Sequence, residues 1–595
     1  MSNRQMIFRL SIYAPVLPGI SPLFWPADAD TFMPQLQTYL PIKMPKELYA
    51  YGQRSSGETH GVVLTKPHII DLILDLAGYT EDRDLTKIRL LEPSCGTGAF
   101  LVQAVKRLLR SAKRHGIKLG TANNYITAFD IDPEHVIASR EAVENTLKED
   151  GVSGIAARKL SESWINEEDF LLAALEPYDV IVGNPPYIRT EQISPRLQAE
   201  YRRRYASLYD RADLYVAFIE RCLNLLKPKG IISFVCADRW ILNRYGAPLR
   251  GIIAERFKVR CYIDLHNTSP FESDVIAYPA IFAISPGKSS SVHVARLETA
   301  SPAECASVSA ALCGINHSGK TPKIYRYETW FTGDEPWVLG HPDSLKALRK
   351  LESKFMPLET DGRAKVRIGL ATGNDGIYIV DKDADIEPDR LIPLLMRSDI
   401  NGGKIKNSGR FVINTFEPSG KAANLTRYPR LRKYLERHSN EIKRRHVAQN
   451  NPTAWFRTID RVYPELVSAP KLIIPDIAGA NEVVLDNGNF YPHHNLYYIT
   501  SSVWDMEVLG GLLSSKVTLF FIWSYAVRMH GNYLRFQAQY LRRIRLPDPK
   551  DLSVELSQLI KTAFRNRDFA ALDALALRAF QLDSLPEFDF VDTRR

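Results

Sequence analysis

Between about residue 58 and residue 290, short apolar runs alternate with stretches whose apolar residues recur every three to four positions. That pattern predicts strands separated by helices, and so a largely parallel α/β sheet. The strand candidates are IRLLEP (88–93), YITAFDID (125–132), YDVIVGN (178–184), GIISFVCAD (230–238), VRCYIDL (259–265) and AYPAIFAIS (277–285). Helical spacing is clearest in AFLVQAVKRLLRSAKRHG (99–116) and in ADLYVAFIERCLNLLKPKG (212–230), which ends on a Lys-Pro-Lys-Gly stop. A further apolar helix face, IIDLILDLA (69–77), follows Thr65 and Pro67, a pair with helix-start chemistry. Outside this region the pattern weakens. Residues 1–50 are proline-rich without a period, and 287–335 are rich in Ser, Ala and Gly, as at a boundary. Beyond lie short strands, Gly/Asn turns and dense Arg, Lys, Tyr and Trp, with no repeat. The division read from this is an arm (1–50), an α/β unit (51–290), a connecting region (291–360) and a mixed α+β unit (361–595).

Composition narrows the class. The 595 residues are 45% hydrophobic and 24% charged, ordinary for a soluble protein of several domains. No run approaches the roughly eighteen apolar residues of a membrane helix. Arg9 interrupts the apolar N-terminal stretch and no small-residue cleavage site follows, which argues against a signal peptide. Cys95, Cys222, Cys236, Cys261, Cys305 and Cys313 are scattered, without a CxxC or Cys/His cluster. That spacing argues for a reducing compartment and against a structural zinc or a disulfide frame. The net charge of +9 suits a polyanionic partner.

The candidate chemistry sits at strand ends. LLEPSCGTGAFL (90–101) is a strand, a glycine turn and a helix start, where Gly96 and Gly98 let a ligand approach the backbone. A dinucleotide fold would need a third glycine, which is missing, and Glu92 would repel a pyrophosphate. Glu92 suits an ammonium or sulfonium group instead. The next strand ends in FDIDP (129–133), with Asp130 placed to accept from both hydroxyls of a ribose. NEEDFL (166–171) offers Asp169 to an exocyclic amino group and Phe170 to an adenine face. In VGNPPYIR (182–189), Pro185 and Pro186 stop a buried strand and hold the following residues in a fixed, extended shape.

In this order the four motifs resemble amino-group DNA methyltransferases that use S-adenosylmethionine. With a helix at 65–77 ahead of them and a long C-terminal extension, they resemble the gamma class of adenine-N6 enzymes of restriction–modification systems, of the Taq type. The resemblance covers roughly 58–285. GLATGNDGIYIV, LIPLLMRSDI, KLIIPDIAGANEVVLDNGNFY and the stretch up to LRRIRLP at 547 look like that family's target-recognition domain. The resemblance implies a Rossmann-like S-adenosylmethionine-dependent methyltransferase domain followed by a mixed α+β target-recognition domain. It implies Thr65 at the methionine carboxylate; Glu92, Ser94, Gly96 and Gly98 around the methionine end; Asp130 at the ribose; and Ile131, Asp169 and Phe170 at the adenine. Asn184, Pro185, Pro186 and Tyr187 would be the catalytic tetrad, with Phe271 as a second aromatic at the target base. The partner would be double-stranded DNA in a bacterial or archaeal cytoplasm, with a separate cognate endonuclease or none, and without a metal.

The tetrad suits the reaction. The adenine N6 lone pair is delocalised into the ring, so the nitrogen is a poor nucleophile. The Asn184 side-chain oxygen and the Pro185 carbonyl, fixed on its two N–H bonds, would draw it towards tetrahedral geometry. A ring at Tyr187, paired with Phe271 in a sandwich, would recover part of the cost of flipping the base. Cytosine C5 methylation needs a cysteine that follows a proline, and no cysteine here does. The basic stretches 427–446 and 523–547 are candidates for phosphate contact. Pro475, Asp476 and Glu482 approach a metal-nuclease motif but lack its lysine, and only about fifty residues precede the methyltransferase region, too few for a nuclease domain. The chain is therefore expected to methylate and not to cut. Rival readings are an NPPY-type enzyme acting on RNA, protein or cytosine N4, and a DNA-binding subunit with a vestigial fold.

Overall fold

In the computed structural model, residues 63–588 are described apart from 121–123, 267, 274–277, 289–290, 315–322, 361, 407, 479–481 and 527–533. The proline-rich arm lies outside them. β1 (Leu90–Glu92) opens the main sheet with all three residues buried, as a strand covered on both faces requires. A glycine turn leads into α2 (Ala99–Arg114), preceded in the chain by α1 (Pro67–Leu76). β2 (Ile126–Asp130) follows; then come α3 (Pro133–Glu149), capped by the Asp132 side chain, α4 (Gly154–Trp164) and β3 (Ile165–Glu167), a three-residue strand. The chain then returns past β1 to β4 (Tyr178–Gly183). The remaining elements of the unit are α5 (Pro195–Arg204), α6 (Tyr215–Asn224), β5 (Leu226–Ala237), α7 (Ala247–Arg256), β6 (Phe257–Asp264) and β7 (Pro279–Pro286).

The strand order is β3-β2-β1-β4-β5-β7-β6, parallel except for β7, which enters antiparallel to both β5 and β6. Successive residues of β4 serve opposite cores. Val180 and Val182 face α1 to α4, and Ile181 faces α5 to α7. All six expected strands form. Two local features differ from expectation. α6 stops at Asn224, ahead of Lys-Pro-Lys-Gly, and Leu226 already pairs with Tyr178. The next pairing is Val180 with Ile231, so this tetrapeptide is an irregularity within β5 and not a helix stop. The sheet also continues past residue 290. β8 (Val292–Arg296) joins β6, and β9 (Ile324–Tyr327) joins β8. Between them α8 (Pro302–Cys313) docks on α1 through a Ser309 hydroxyl donating to Asp75 at 2.7 Å. Much of the segment read as a connector is therefore packed into the α/β unit.

Beyond α9 (Pro342–Lys354) the chain forms a mixed α+β arrangement. One four-stranded sheet combines residues 365–368, 496–500, 471–475 and 484–486, and a second combines 379–381, 410–413, 391–395 and 491–492. Lys471 and Asp486, both fully buried, pair at 2.8 Å inside the first, and Lys471 also donates to the Leu466, Val467 and Ala469 carbonyls. Phe331 stacks on Trp337, with Trp330 tilted against it, where the hydrophobic core runs from the main sheet into the C-terminal helices. Among the described residues no single helix is long and apolar enough to cross a membrane. The apolar helices at 506–513 and 516–525 meet at 60° and are buried in that core.

Gly98 shows how the turn after β1 is fixed. Its φ of +94° is in the left-handed region, and an added Cβ would stand 3.2 Å from the Ser139 Cα on α3. Gly98→Ala is expected to cost about 1–2 kcal/mol in a urea unfolding curve, from the dihedral and the contact together.

Candidate active site

The chain leaves β1 for β2 and β3 on one side and returns to β4 on the other, so the carboxyl ends of β1 and β4 mark a switch point. A cavity of about 290 Å³ opens there. Thr65, Glu92, Ser94, Gly96, Asp130, Ile131, Asp169, Phe170, Asn184, Pro185 and Pro186 all line it. From Glu92 to Pro186, 94 positions apart in the sequence, these residues are brought to one site because each follows, or sits at, the end of a neighbouring strand, and Thr65 joins them from just ahead of α1. Gly98 does not line this cavity; it serves the packing of α2 on α3.

The turn after β1 is tied to β2. The Cys95 N–H donates to the Phe129 carbonyl at 2.9 Å, and the Gly96 N–H donates to Asp130 Oδ2 at 2.9 Å. Asp130 Oδ1 accepts from the Asp132 N–H at 2.9 Å and lies 3.3 Å from His135 Nδ1. Asp130 therefore shapes the glycine turn, and its carboxylate keeps further lone pairs for a ligand hydroxyl. Ile131 beside it is 37% exposed, an apolar surface on the cavity wall. Asp169 Oδ1 accepts from the Leu171 N–H at 2.8 Å, and Oδ2 accepts from the Tyr201 hydroxyl at 2.9 Å. Phe170 packs between Phe129 and Phe218 and bounds the same end.

Glu92 closes the other end. It is buried, its Oε2 has no hydrogen-bond partner, and burial followed by the charge of Asp130 pushes its pKa well above the usual carboxylate range. A cationic ammonium group would relieve that carboxyl, so the acidic end, the apolar wall and the Asp130 and Asp169 acceptors fit S-adenosylmethionine. Thr65 is placed differently from the helix-start reading. Lys66 occupies the N-cap of α1, and Thr65 bridges antiparallel to Phe271, with its hydroxyl 3.4 Å from Asn184 Nδ2.

That contact belongs to a stitched rim. The Asn184 side-chain NH2 donates to the Val63 carbonyl at 3.1 Å, the Lys66 N–H to Pro270 at 3.0 Å, and the Glu272 N–H to Leu64 at 2.9 Å. An acceptor at Val63 forces the amide nitrogen of Asn184 to face it, which turns Oδ1 the other way. Oδ1 is buried and has no partner. Gly183, which precedes Asn184, has a φ of +152°, a conformation L side chains rarely adopt, while a Cβ there would stand at ordinary van der Waals distance, 3.5–3.6 Å, from Pro93 and Glu92. Tyr187 and Phe271 stand with ring centroids 6.5 Å apart and planes crossed at 68°. A sandwich needs parallel rings, so the pair forms a corner, with one face and one edge for a planar group.

Sequence reasoning did not find Tyr201, Val63 or His135. Leu197 and Tyr201, four apart on the otherwise charged α5, carried the one periodic signal that could have flagged Tyr201 as buried. Of the two basic stretches, 427–446 forms short helices with Arg430, Arg432, Lys433, Arg437 and Arg444 exposed. Arg542 and Arg543 in the other are paired with Glu359 and Glu352, and part of that stretch lies outside the described residues.

The Eco57I restriction-modification methylase family matches residues 103–271. Over 539 residues the chain is 44% identical to type II methyltransferase M.BstVI of Geobacillus stearothermophilus, covering 88% of this chain and 96% of the relative. M.PaeR7I of Pseudomonas aeruginosa is 43% identical over 88% of this chain and 92% of its own length. M.XhoI of Xanthomonas vasicola is 41% identical over 90% and 100% respectively. Among solved structures, the type IIL restriction-modification enzyme MmeI, in complex with DNA, shares the fold with a TM-score of 0.58 at 13% identity, over 89% of this chain and 75% of that one.

Proposed function

The chain belongs to the type II methyltransferases of restriction–modification systems, and from that premise we propose that it methylates the N6 of an adenine flipped out of double-stranded DNA. The observation that carries the adenine reading is the unpartnered Asn184 Oδ1, buried at the mouth of the cavity with its amide orientation fixed by Val63. It is the acceptor that an exocyclic amino group requires, and the Pro185 carbonyl beside it supplies the second. Bound S-adenosylmethionine supplies an electrophilic methyl on a sulfonium. Glu92 would hold its ammonium group, Asp130 its ribose hydroxyls, Ile131 and Phe170 its adenine, and Asp169 the exocyclic amine of that ring. Tyr187 would stack on the flipped base, with Phe271 at its edge.

The two acceptors act on the nucleophile. Hydrogen bonds from N6 to Asn184 and Pro185 favour tetrahedral nitrogen, so its lone pair is available in line with the methyl. Their rigidity matters, because the prolines remove the freedom that would otherwise relax the geometry. The exposed cations at 430–444 are candidates for phosphate contact. The test is incubation with methyl-labelled S-adenosylmethionine and unmethylated bacterial DNA, followed by digestion to nucleosides. Label in N6-methyladenine is the expected result. Label in N4-methylcytosine would keep the acceptor mechanism and change the base, and no label in DNA from a protein that binds S-adenosylmethionine would overturn the substrate.

A further inference from the structure

Behind the stitched rim lies a buried charged cluster to which no step above gives a role. His266, two residues past the end of β6, places Nε2 2.8 Å from Asp238 Oδ2; its backbone N–H donates to Asp264 Oδ1 at 2.9 Å, and its ring Nδ1 lies 3.6 Å from that same oxygen. Asp238 follows β5 and Asp264 ends β6; both are buried. The Tyr262 hydroxyl donates to the same Asp238 oxygen, Arg296 on β8 holds Asp264 Oδ2 at 2.8 Å, and the His266 ring meets the edge of Tyr278, over which Arg239 lies. Thr268 closes a tight turn on the Leu265 carbonyl through both its N–H and its hydroxyl. Residues 269–272 then pair with 64–66, and Val63 orients Asn184.

The geometry points to His266 as a positioning residue whose imidazolium, clasped between Asp238 and Asp264, fixes the root of the segment that carries Phe271 and braces the strand orienting Asn184. Two buried carboxylates, one countered by Arg296, leave a net negative site that a cation completes. Burial opposes charge on the ring, but Asp238 and Asp264 outweigh it, so the His266 pKa is raised above the usual imidazole range. The sign follows: the clasp is complete below the ordinary imidazole value and is lost as pH rises through the raised one, leaving the Asp238 and Asp264 charges facing each other across a neutral ring.

The inference rests on the adenine reading, so the experiment first establishes N6-methyladenine formation by the wild type, and failure there would sink that reading alone. Once the modified site is mapped, a duplex with 2-aminopurine at the target position reports the flipped base at saturating S-adenosylmethionine, from about pH 6 to about pH 9. The expected result is a joint fall, on the alkaline side, of that fluorescence and of kcat measured on the matching adenine duplex, since 2-aminopurine has no 6-amino group to methylate. His266→Gln should lose about tenfold in both at low pH and lose the pH dependence. His266→Lys, which keeps a cation, should abolish the alkaline fall. A wild-type profile retained in His266→Gln overturns the proposal. Should that variant not fold, the same alkaline fall persisting in His266→Lys overturns it equally.

Discussion

Asn184→Ala is expected to lower kcat by about two to three orders of magnitude, the loss typical when one fixed hydrogen-bonding group aimed at a developing charge is removed. Cofactor affinity should stay close to wild type, because in the proposed reading Glu92, Asp130 and Asp169 hold the cofactor while Asn184 acts on the target base. Val63 presents a carbonyl to the side chain, so the nitrogen must face it and the oxygen must face the cavity. The orphaned Oδ1 is buried and therefore costs free energy until a donor arrives. Asn184→Asp sharpens the test. It keeps an acceptor towards the base but sets a carboxylate oxygen against the Val63 carbonyl, so an activity between those of wild type and Asn184→Ala is expected. Single-turnover transfer of labelled methyl to DNA, with calorimetric titration of S-adenosylmethionine alongside, separates catalysis from binding. Wild-type turnover in Asn184→Ala would remove the tetrad from the mechanism.

The parts of this site that were legible in the sequence are those set by strand ends. β1, β2 and β4 announce themselves as short apolar runs, and a parallel sheet delivers whatever follows them to a common edge, so the sequence alone groups Glu92, Asp130 and Asn184. β3 was harder. Three residues are too few to show a period, and only the acid and ring after it marked the place. Contacts between distant segments were not legible at all. Nothing local in VLT (63–65) or SPFE (269–272) says that they pair, or that the pairing sets the Asn184 amide. The same blindness explains Thr65: its helix-start chemistry is real in composition, but tertiary pairing with Phe271 displaced it from the cap. It also explains the crossed rings of Tyr187 and Phe271, because the sequence supplies two aromatics but no angle between them. The connecting region misled for a different reason. Its serine- and glycine-rich composition reads as linker, yet the short apolar run of β8, with Val292, Val294 and Ala295 buried, pairs with β6 and with β9 and extends the sheet.

Glu92→Gln is expected to weaken S-adenosylmethionine binding by about one to two orders of magnitude, the scale of losing a hydrogen bond to a charged group in a buried site. The carboxyl of the free enzyme holds its proton well above the usual carboxylate range, because burial and the nearby Asp130 charge both disfavour a second anion. A bound ammonium reverses that balance and draws Glu92 to its ionised form, so binding should release protons to the buffer. The sign of the pH dependence follows from linkage. Affinity rises with pH while the free enzyme still holds the proton, and levels off above the raised pKa. Calorimetry in two buffers of different ionisation enthalpy measures the protons released, and Glu92→Gln should release fewer and bind with a flatter pH profile. Stability separates this loss from a folding defect. A group whose pKa is raised on folding lowers stability as pH climbs above its unfolded value, so a neutral amide at position 92 should leave the unfolding midpoint unchanged or higher at neutral pH. A variant that binds S-adenosylmethionine as tightly as wild type, with equal proton release, would place the ammonium elsewhere in the cavity.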